Sequence, residues 1–169
     1  MVKIKLEKFN KSSAIVKQRG NTPQEKVFRD EVNDLAIKML KRIFSDFKME
    51  KMESLMVIMQ KLFRSSYKKI IVNENQIAKL RQLFSSRKGP VIFVPTHRSY
   101  IDFLVLSTIL YYYGLEVPLI CSGEDFLSMA FVSDMLRGSG AFFMRRTFRG
   151  DELYKAIFYE YVRMLNKDR

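Results

Sequence analysis

The chain has a single cysteine, Cys121, and a single histidine, His97, in 169 residues. One cysteine excludes an internal disulfide. One cysteine and one histidine are too few ligands for a structural zinc site. No run of about 18 uninterrupted apolar residues occurs, so no membrane-spanning helix is expected. The longest candidate, residues 103–115, is too short and contains Gly114. At the N-terminus Lys3, Lys5, Glu7 and Lys8 interrupt the apolar residues, which is not a signal-peptide pattern. No internal repeat or low-complexity segment is visible. Acidic residues are also scarce, 18 against 30 basic ones, for a formal charge of +12. That excess points to an anionic partner: a phosphate ester, coenzyme A, an anionic lipid or a nucleic acid. It does not choose among them.

What is present is enough apolar material, 47% of residues, to build a core. The length suits one domain, or one small domain with a helical extension. Residues 1–22 read as a mobile basic arm. Thr22 can cap a helix with Pro23 at its first position and Glu25 at its third. Residues 23–70 form an N-terminal helical region. Val32, Leu35, Ala36, Met39, Leu40, Ile43, Phe44 and Phe47 recur at helical spacing on one face. The pattern slips and resumes with Met52, Leu55, Met56, Met59, Leu62 and Phe63, which predicts a break or kink around residues 48–51. The methionine stripe reads as core packing. The same basic amphipathic surface could instead lie on an anionic membrane.

Residues 67–72 suggest a short strand. Asn73 or Asn75 then caps a helix carrying Ile77, Leu80, Leu83 and Phe84. Residues 85–90, Ser-Ser-Arg-Lys-Gly-Pro, are a stop and a turn. From Val91 onward strands at 91–95, 117–121 and 141–144 alternate with helices at about 101–113, 125–137 and 151–166. That order predicts an α/β fold, a largely parallel sheet with crossover helices, preceded by the helical region. Cys121, at the end of the second strand, reads as a small buried residue.

The first strand runs into Pro95-Thr96-His97, and Asp102 follows five residues after the histidine. A carboxylate in the first turn of a helix can accept an imidazole N–H, fix the tautomer and leave the other nitrogen to take a proton. The helix dipole favours Asp102 there but opposes a charged ring, whereas the carboxylate favours one. Arg145 and Arg146 follow directly on the third strand. Functional loops of such sheets gather at the carboxyl ends of strands, and forked guanidinium donors suit a phosphate ester. Charge alone would leave these arginines as a solvated basic surface.

His97-Arg98-Ser99-Tyr100-Ile101-Asp102 resembles the His-x4-Asp motif of the glycerophosphate acyltransferase family. Gly140-Ala141-Phe142-Phe143-Met144-Arg145-Arg146-Thr147-Phe148 is similar to the second motif of its branch of dihydroxyacetone phosphate and bacterial-type glycerol-3-phosphate acyltransferases. Val72-Asn73-Glu74-Asn75 and Glu152-Leu153-Tyr154 also fit, so the likeness covers roughly residues 70 to 166. It implies acyl transfer from acyl-CoA, a co-substrate rather than a bound cofactor, to the hydroxyl of dihydroxyacetone phosphate. His97 would be the general base and Asp102 its orienter. The family role in binding the phosphate passes to Arg145 first and Arg146 second, with Arg98 and Ser99 also candidates and Arg149 less certain. Glycerol 3-phosphate is the alternative acceptor.

Residues 71–169 then read as the N-terminal part of an acyltransferase domain. The family's third block, of Phe-x-Glu-Gly-Thr-Arg type, does not occur before Arg169, so a truncated chain is expected. Peripheral membrane association and a peroxisomal location are implied by the resemblance alone, because Lys-Asp-Arg is no receptor-read tripeptide. Two readings of other classes stand beside it. One is a basic nucleic-acid-binding protein; against it, most of the phenylalanines sit at core-like positions and no binding motif appears, so no nucleic-acid partner is expected. The other is a non-catalytic, membrane-associated protein.

Overall fold

The computed structural model of the chain describes residues 23–86, 89–96, 98, 99 and 101–167. The basic arm 1–22, the Thr22 cap, His97 and Tyr100 lie outside the described residues. Helix α1, Pro23–Ile43, opens on the proline, whose fixed φ suits a first helical turn. Residues 44–48 break it, slightly ahead of the expected position, and α2 follows at Met49–Ser66. Next come α3, Glu74–Ser86, and α4, Asp102–Tyr112. The chain continues with β1, Ile120–Gly123, a 3-10 turn, Glu124–Ser128, and α5, Ala130–Gly138. It ends with β2, Ala141–Met144, and α6, Glu152–Lys167. Strands β1 and β2 pair in parallel, with Ile120 opposite Ala141 and Gly123 opposite Met144, and α5 makes the crossover.

The break between α1 and α2 has an identifiable fastener. The Arg137 guanidinium, in the last turn of α5, donates to the backbone carbonyls of Lys41 at 3.2 Å, Arg42 at 3.1 Å and Phe44. These are acceptors at the C-terminal end of α1 and just beyond it, where a helix leaves carbonyls without intrahelical partners. The same guanidinium lies over the rings of Phe44 and Phe143, 5.4 and 4.8 Å from their centroids. The Lys48 amide donates to the Gly138 carbonyl at 2.8 Å, so the backbones of the break and of α5 meet directly.

Four apolar clusters tie the layers together. Met39, Leu40 and Ile43 of α1 share one with Phe142 of β2 and with Tyr154, Ile157, Phe158 and Tyr161 of α6. The methionine stripe of α2, Met52, Met56 and Met59, packs with Leu55 and Phe63 against Leu104 and Val105 of α4 and Met135 of α5. The stripe is therefore core, as its spacing predicts. Asn73 caps α3, its Oδ1 accepting from the amides of Asn75 at 3.0 Å and Gln76 at 3.4 Å. Gly114, φ +63°, ends α4 in the left-handed conformation, and the Leu115 amide reaches back to the Leu110 carbonyl at 2.9 Å.

Several expectations are corrected. Residues 91–95 form no strand, although they keep a two-residue alternation. Val91 and Phe93 are half-buried, with Phe93 6.5 Å from Phe84 between ring centroids, while Ile92 and Val94 are 74% and 87% exposed. Periodicity shows which side faces a core, but a strand also needs a neighbour to complete its ladder, and no described segment supplies one. Residues 67–72 likewise form no strand, and the second strand starts at Ile120 rather than Val117. The expected helix 125–137 is a 3-10 turn followed by α5. Leu35, Phe47 and Leu62, placed on the buried faces by spacing, are exposed at 47%, 39% and 37%. Cys121 is exposed rather than buried, its sulfur 3.9 Å from that of Met144.

Candidate active site

Asp102 stands at the first position of α4, and its carboxylate closes the turn that precedes the helix. Its Oδ2 accepts from the backbone amides of Arg98 and Ser99, both at 2.7 Å. The Asp102 amide donates back to the Ser99 carbonyl at 3.2 Å, and Ser99 Oγ accepts from the Ile101 amide at 3.3 Å. Two short amide bonds to a carboxylate are charge-assisted and set the course of the backbone directly after position 97. The side chains of Arg98 and Ser99 are exposed. His97 itself is not among the described residues, so Asp102 is the member of the predicted pair whose surroundings are seen.

The second group is built at the end of β2. Arg145 is the first residue after the strand, and its amide donates to the Tyr154 hydroxyl at 3.0 Å. Its guanidinium lies 4.2 Å over the Tyr154 ring and donates to Asp151 Oδ2 at 2.6 Å. Glu124 Oε2 is 3.9 Å from its Nε. The amide of Tyr154 and the Arg145 guanidinium hold the Asp151 carboxyl below the usual carboxylate range. Burial pushes the Tyr154 hydroxyl up. Arg146, the next residue, engages the second acid of the 3-10 turn. Its Nε and Nη2 donate to Asp125 Oδ2 at 3.0 and 2.7 Å, and its side chain is 79% exposed. Arg145 is thus the more firmly anchored of the two and Arg146 the more accessible. Arg149 lies in the loop beyond, its amide donating to Thr147 Oγ1 at 3.2 Å.

One apolar cluster touches the elements that carry both groups. Phe103 and Leu104, in the first turn of α4, pack against the buried cluster of Leu136, Ala141 and Phe143, as do Ile120 of β1 and Phe126 and Leu127 of the 3-10 turn. The 3-10 turn carries Glu124 and Asp125, the carboxylates that face Arg145 and Arg146. β1 ends at Gly123 and β2 at Met144, so the arginine pair and its two acids stand at the carboxyl ends of the strands, the side on which ligands bind in open parallel sheets. Sequence reading missed Glu124, Asp125, Asp151 and Tyr154. Two acids directly after a predicted strand, beside a strand ending in two arginines, were the available signal for the first two. A cavity of about 870 Å³ opens elsewhere, between the end of α3, residues 89–93 and the 114–118 loop, and holds none of these residues. Among the described residues, no group of three or more His, Cys, Asp or Glu could hold a metal ion.

A family model described as Acyltransferase matches residues 69–169, which includes every residue of both groups, and the chain belongs to that family. Over 108 residues it is 53% identical to the dihydroxyacetone phosphate acyltransferase of Mus musculus, covering 64% of this chain and 16% of that protein. The protein of the same name from Homo sapiens is 51% identical over 107 residues, 63% of this chain and 15% of that protein. The glycerol-3-phosphate acyltransferase of Pseudomonas paraeruginosa is 35% identical over 141 residues, 83% of this chain and 16% of that protein. The chain thus spans about one sixth of the length of these relatives.

Proposed function

We propose that this chain carries the acceptor-activating part of an enzyme that acylates dihydroxyacetone phosphate from acyl-CoA. The observation that supports it most is the arginine pair and its acids at the carboxyl ends of the two parallel strands, joined through one apolar cluster to the helix that Asp102 starts. His97 takes the proton from the acceptor's free hydroxyl, with Asp102 orienting the ring. The oxygen attacks the thioester carbonyl; the new C–O bond forms, the C–S bond breaks, and the proton passes to the departing coenzyme A thiolate. No covalent enzyme intermediate is required. Arg146, exposed and held by Asp125 through Nε and Nη2, offers its remaining N–H donors to the phosphate, and Arg145, the residue before it, is the second phosphate contact. Arg98 and Ser99, on the Asp102 turn, are further candidates for phosphate contact.

Glycerol 3-phosphate is the second reading of the acceptor, favoured by the longer alignment with the Pseudomonas relative, 141 residues against 108. Work at the peroxisomal membrane is proposed on the resemblance alone. The test is an acyl-transfer assay of the longest natural protein containing this chain, with both acceptors side by side. Acylation of dihydroxyacetone phosphate that vanishes in His97→Ala is expected. Full turnover in that variant would refute the base assignment, and preference for glycerol 3-phosphate would reverse the acceptor.

A further inference from the structure

We infer that the outer face of the C-terminal part of α2, residues 57–66, together with residues 67–71, is a docking surface for an anionic lipid bilayer. Between Glu53 and Glu74 the chain holds no acidic residue, and it holds four basic ones, Lys61, Arg64, Lys68 and Lys69. All four are exposed. Apolar side chains stand among them and face outward: Ile58 is 42% exposed, Leu62 37% and Ile71 79%. The exposure is not a failure of packing, because the opposite face of α2 is closed, with Met52, Leu55, Met56, Met59 and Phe63 all buried. The helix therefore has two apolar aspects, one committed to the core and one interleaved with cations.

A protein partner would be matched by a drier, less uniformly charged patch. Cations ringing exposed isoleucine and leucine suit an interface of negative headgroups over hydrocarbon, where the apolar groups sink and the long basic side chains reach back to the surface. No described helix is long and apolar enough to cross a membrane, so the contact lies along the surface. The inference does not depend on the acyl-transfer reading; vesicle binding and turnover are scored separately.

The test is flotation of the full chain with vesicles of phosphatidylcholine alone and with vesicles that also contain phosphatidylserine. The wild-type chain should float with the second kind only and be released by raised salt. Each basic group near an anionic surface is worth about fivefold in binding. Replacing Lys61, Arg64, Lys68 and Lys69 by Gln should therefore lower binding at least tenfold. Replacing Lys26, Lys38, Lys79 and Lys167, four exposed cations elsewhere, removes equal charge and should do much less. Ile58→Ser with Leu62→Ser and Ile71→Ser should also weaken binding. Equal loss in both charge variants would overturn the proposal in favour of a general charge effect. So would equal binding to pure phosphatidylcholine, or no binding to either vesicle. If a variant fails to fold, hydrogen exchange on the wild-type chain decides: vesicles must protect residues 57–71, and protection confined to other segments would overturn the assignment.

Discussion

Asp151 anchors Arg145 and starts α6 with one carboxylate: Oδ2 accepts from the guanidinium at 2.6 Å, and Oδ1 accepts the Tyr154 amide at 2.9 Å. The helix terminus and the arginine of the candidate site therefore cannot be changed independently. Asp151→Asn keeps a capping oxygen and loses the ion pair, whereas Asp151→Ala loses both. Urea unfolding should place Asp151→Ala below Asp151→Asn in stability, with both below the wild type. Equal midpoints for the two variants would sink this reading.

The same carboxylate has a pH signature. Its folded-state pKa lies below the ordinary 3.8, so the stability it adds is complete above that value and is lost as pH falls through the lowered one. Asp134, held low by its contact with Lys51, acts in the same direction. Asp151→Asn should flatten part of the acid limb of the stability profile and leave neutral pH to alkaline behaviour parallel to the wild type. Unfolding midpoints measured across the acid range check this.

Arg145 and Arg146 should fail differently. Arg146→Ala removes an exposed fork and should raise the acceptor KM about tenfold with little change in unfolding midpoint, taking a charge-assisted bond as about 1.5 kcal/mol. Arg145→Ala should weaken acceptor binding and also lower stability, because it strips partners from Asp151 and from the Tyr154 ring. Kinetics of the full enzyme, paired with denaturation of the same variants, separate the two. An Arg145→Ala protein as stable as the wild type would contradict the anchoring role.

Arg137 is the fastener of the α1–α2 break, and its removal leaves three carbonyls without their donor. Arg137→Ala should cost about 2–4 kcal/mol. Arg137→Lys should recover only part of that, since one ammonium cannot span three acceptors while stacking on Phe44 and Phe143. Chemical denaturation measures both.

Gly140 lies between α5 and β2 at φ +104°, a region that side-chain-bearing residues rarely adopt, and a Cβ there would stand 3.3 Å from Leu119 Cδ2. Gly140→Ala should destabilise by about 1–3 kcal/mol. At Gly138 a Cβ would meet Lys51 Cγ at 2.7 Å and Cβ at 2.9 Å, so Gly138→Ala must displace Lys51 and should destabilise as well. Thermal unfolding of the two variants, against an alanine change at exposed Leu62, gives the comparison.

The elements most legible in the sequence were those whose cause is local. Pro23, Asn73 and Gly114 punctuate helices through their own backbone chemistry, and each sits where such chemistry requires. The strand 141–144 and the helix after it were also readable, because a compact apolar run and a long amphipathic pattern carry their own period. Residues 91–95 show the opposite case. Their alternation is visible, but the neighbour that would make them a strand is a matter of other segments. Phe47 and Leu62 have core-like spacing yet stand exposed, because spacing assigns a face and not what covers it.

By itself the sequence determined the strand–helix alternation after residue 117, the basic excess, the two motif blocks and hence the family, since all of these are properties of short stretches and their spacing. Only the tertiary structure decided that Glu124 and Asp125 face the two arginines, that Asp151 serves both a helix and Arg145, and that Arg137 reaches back about 95 residues to close the α1–α2 break. Those pairings depend on which segments the core brings side by side. Ion pairs and orphan carbonyls choose partners by distance in space, and separation along the chain carries no record of it.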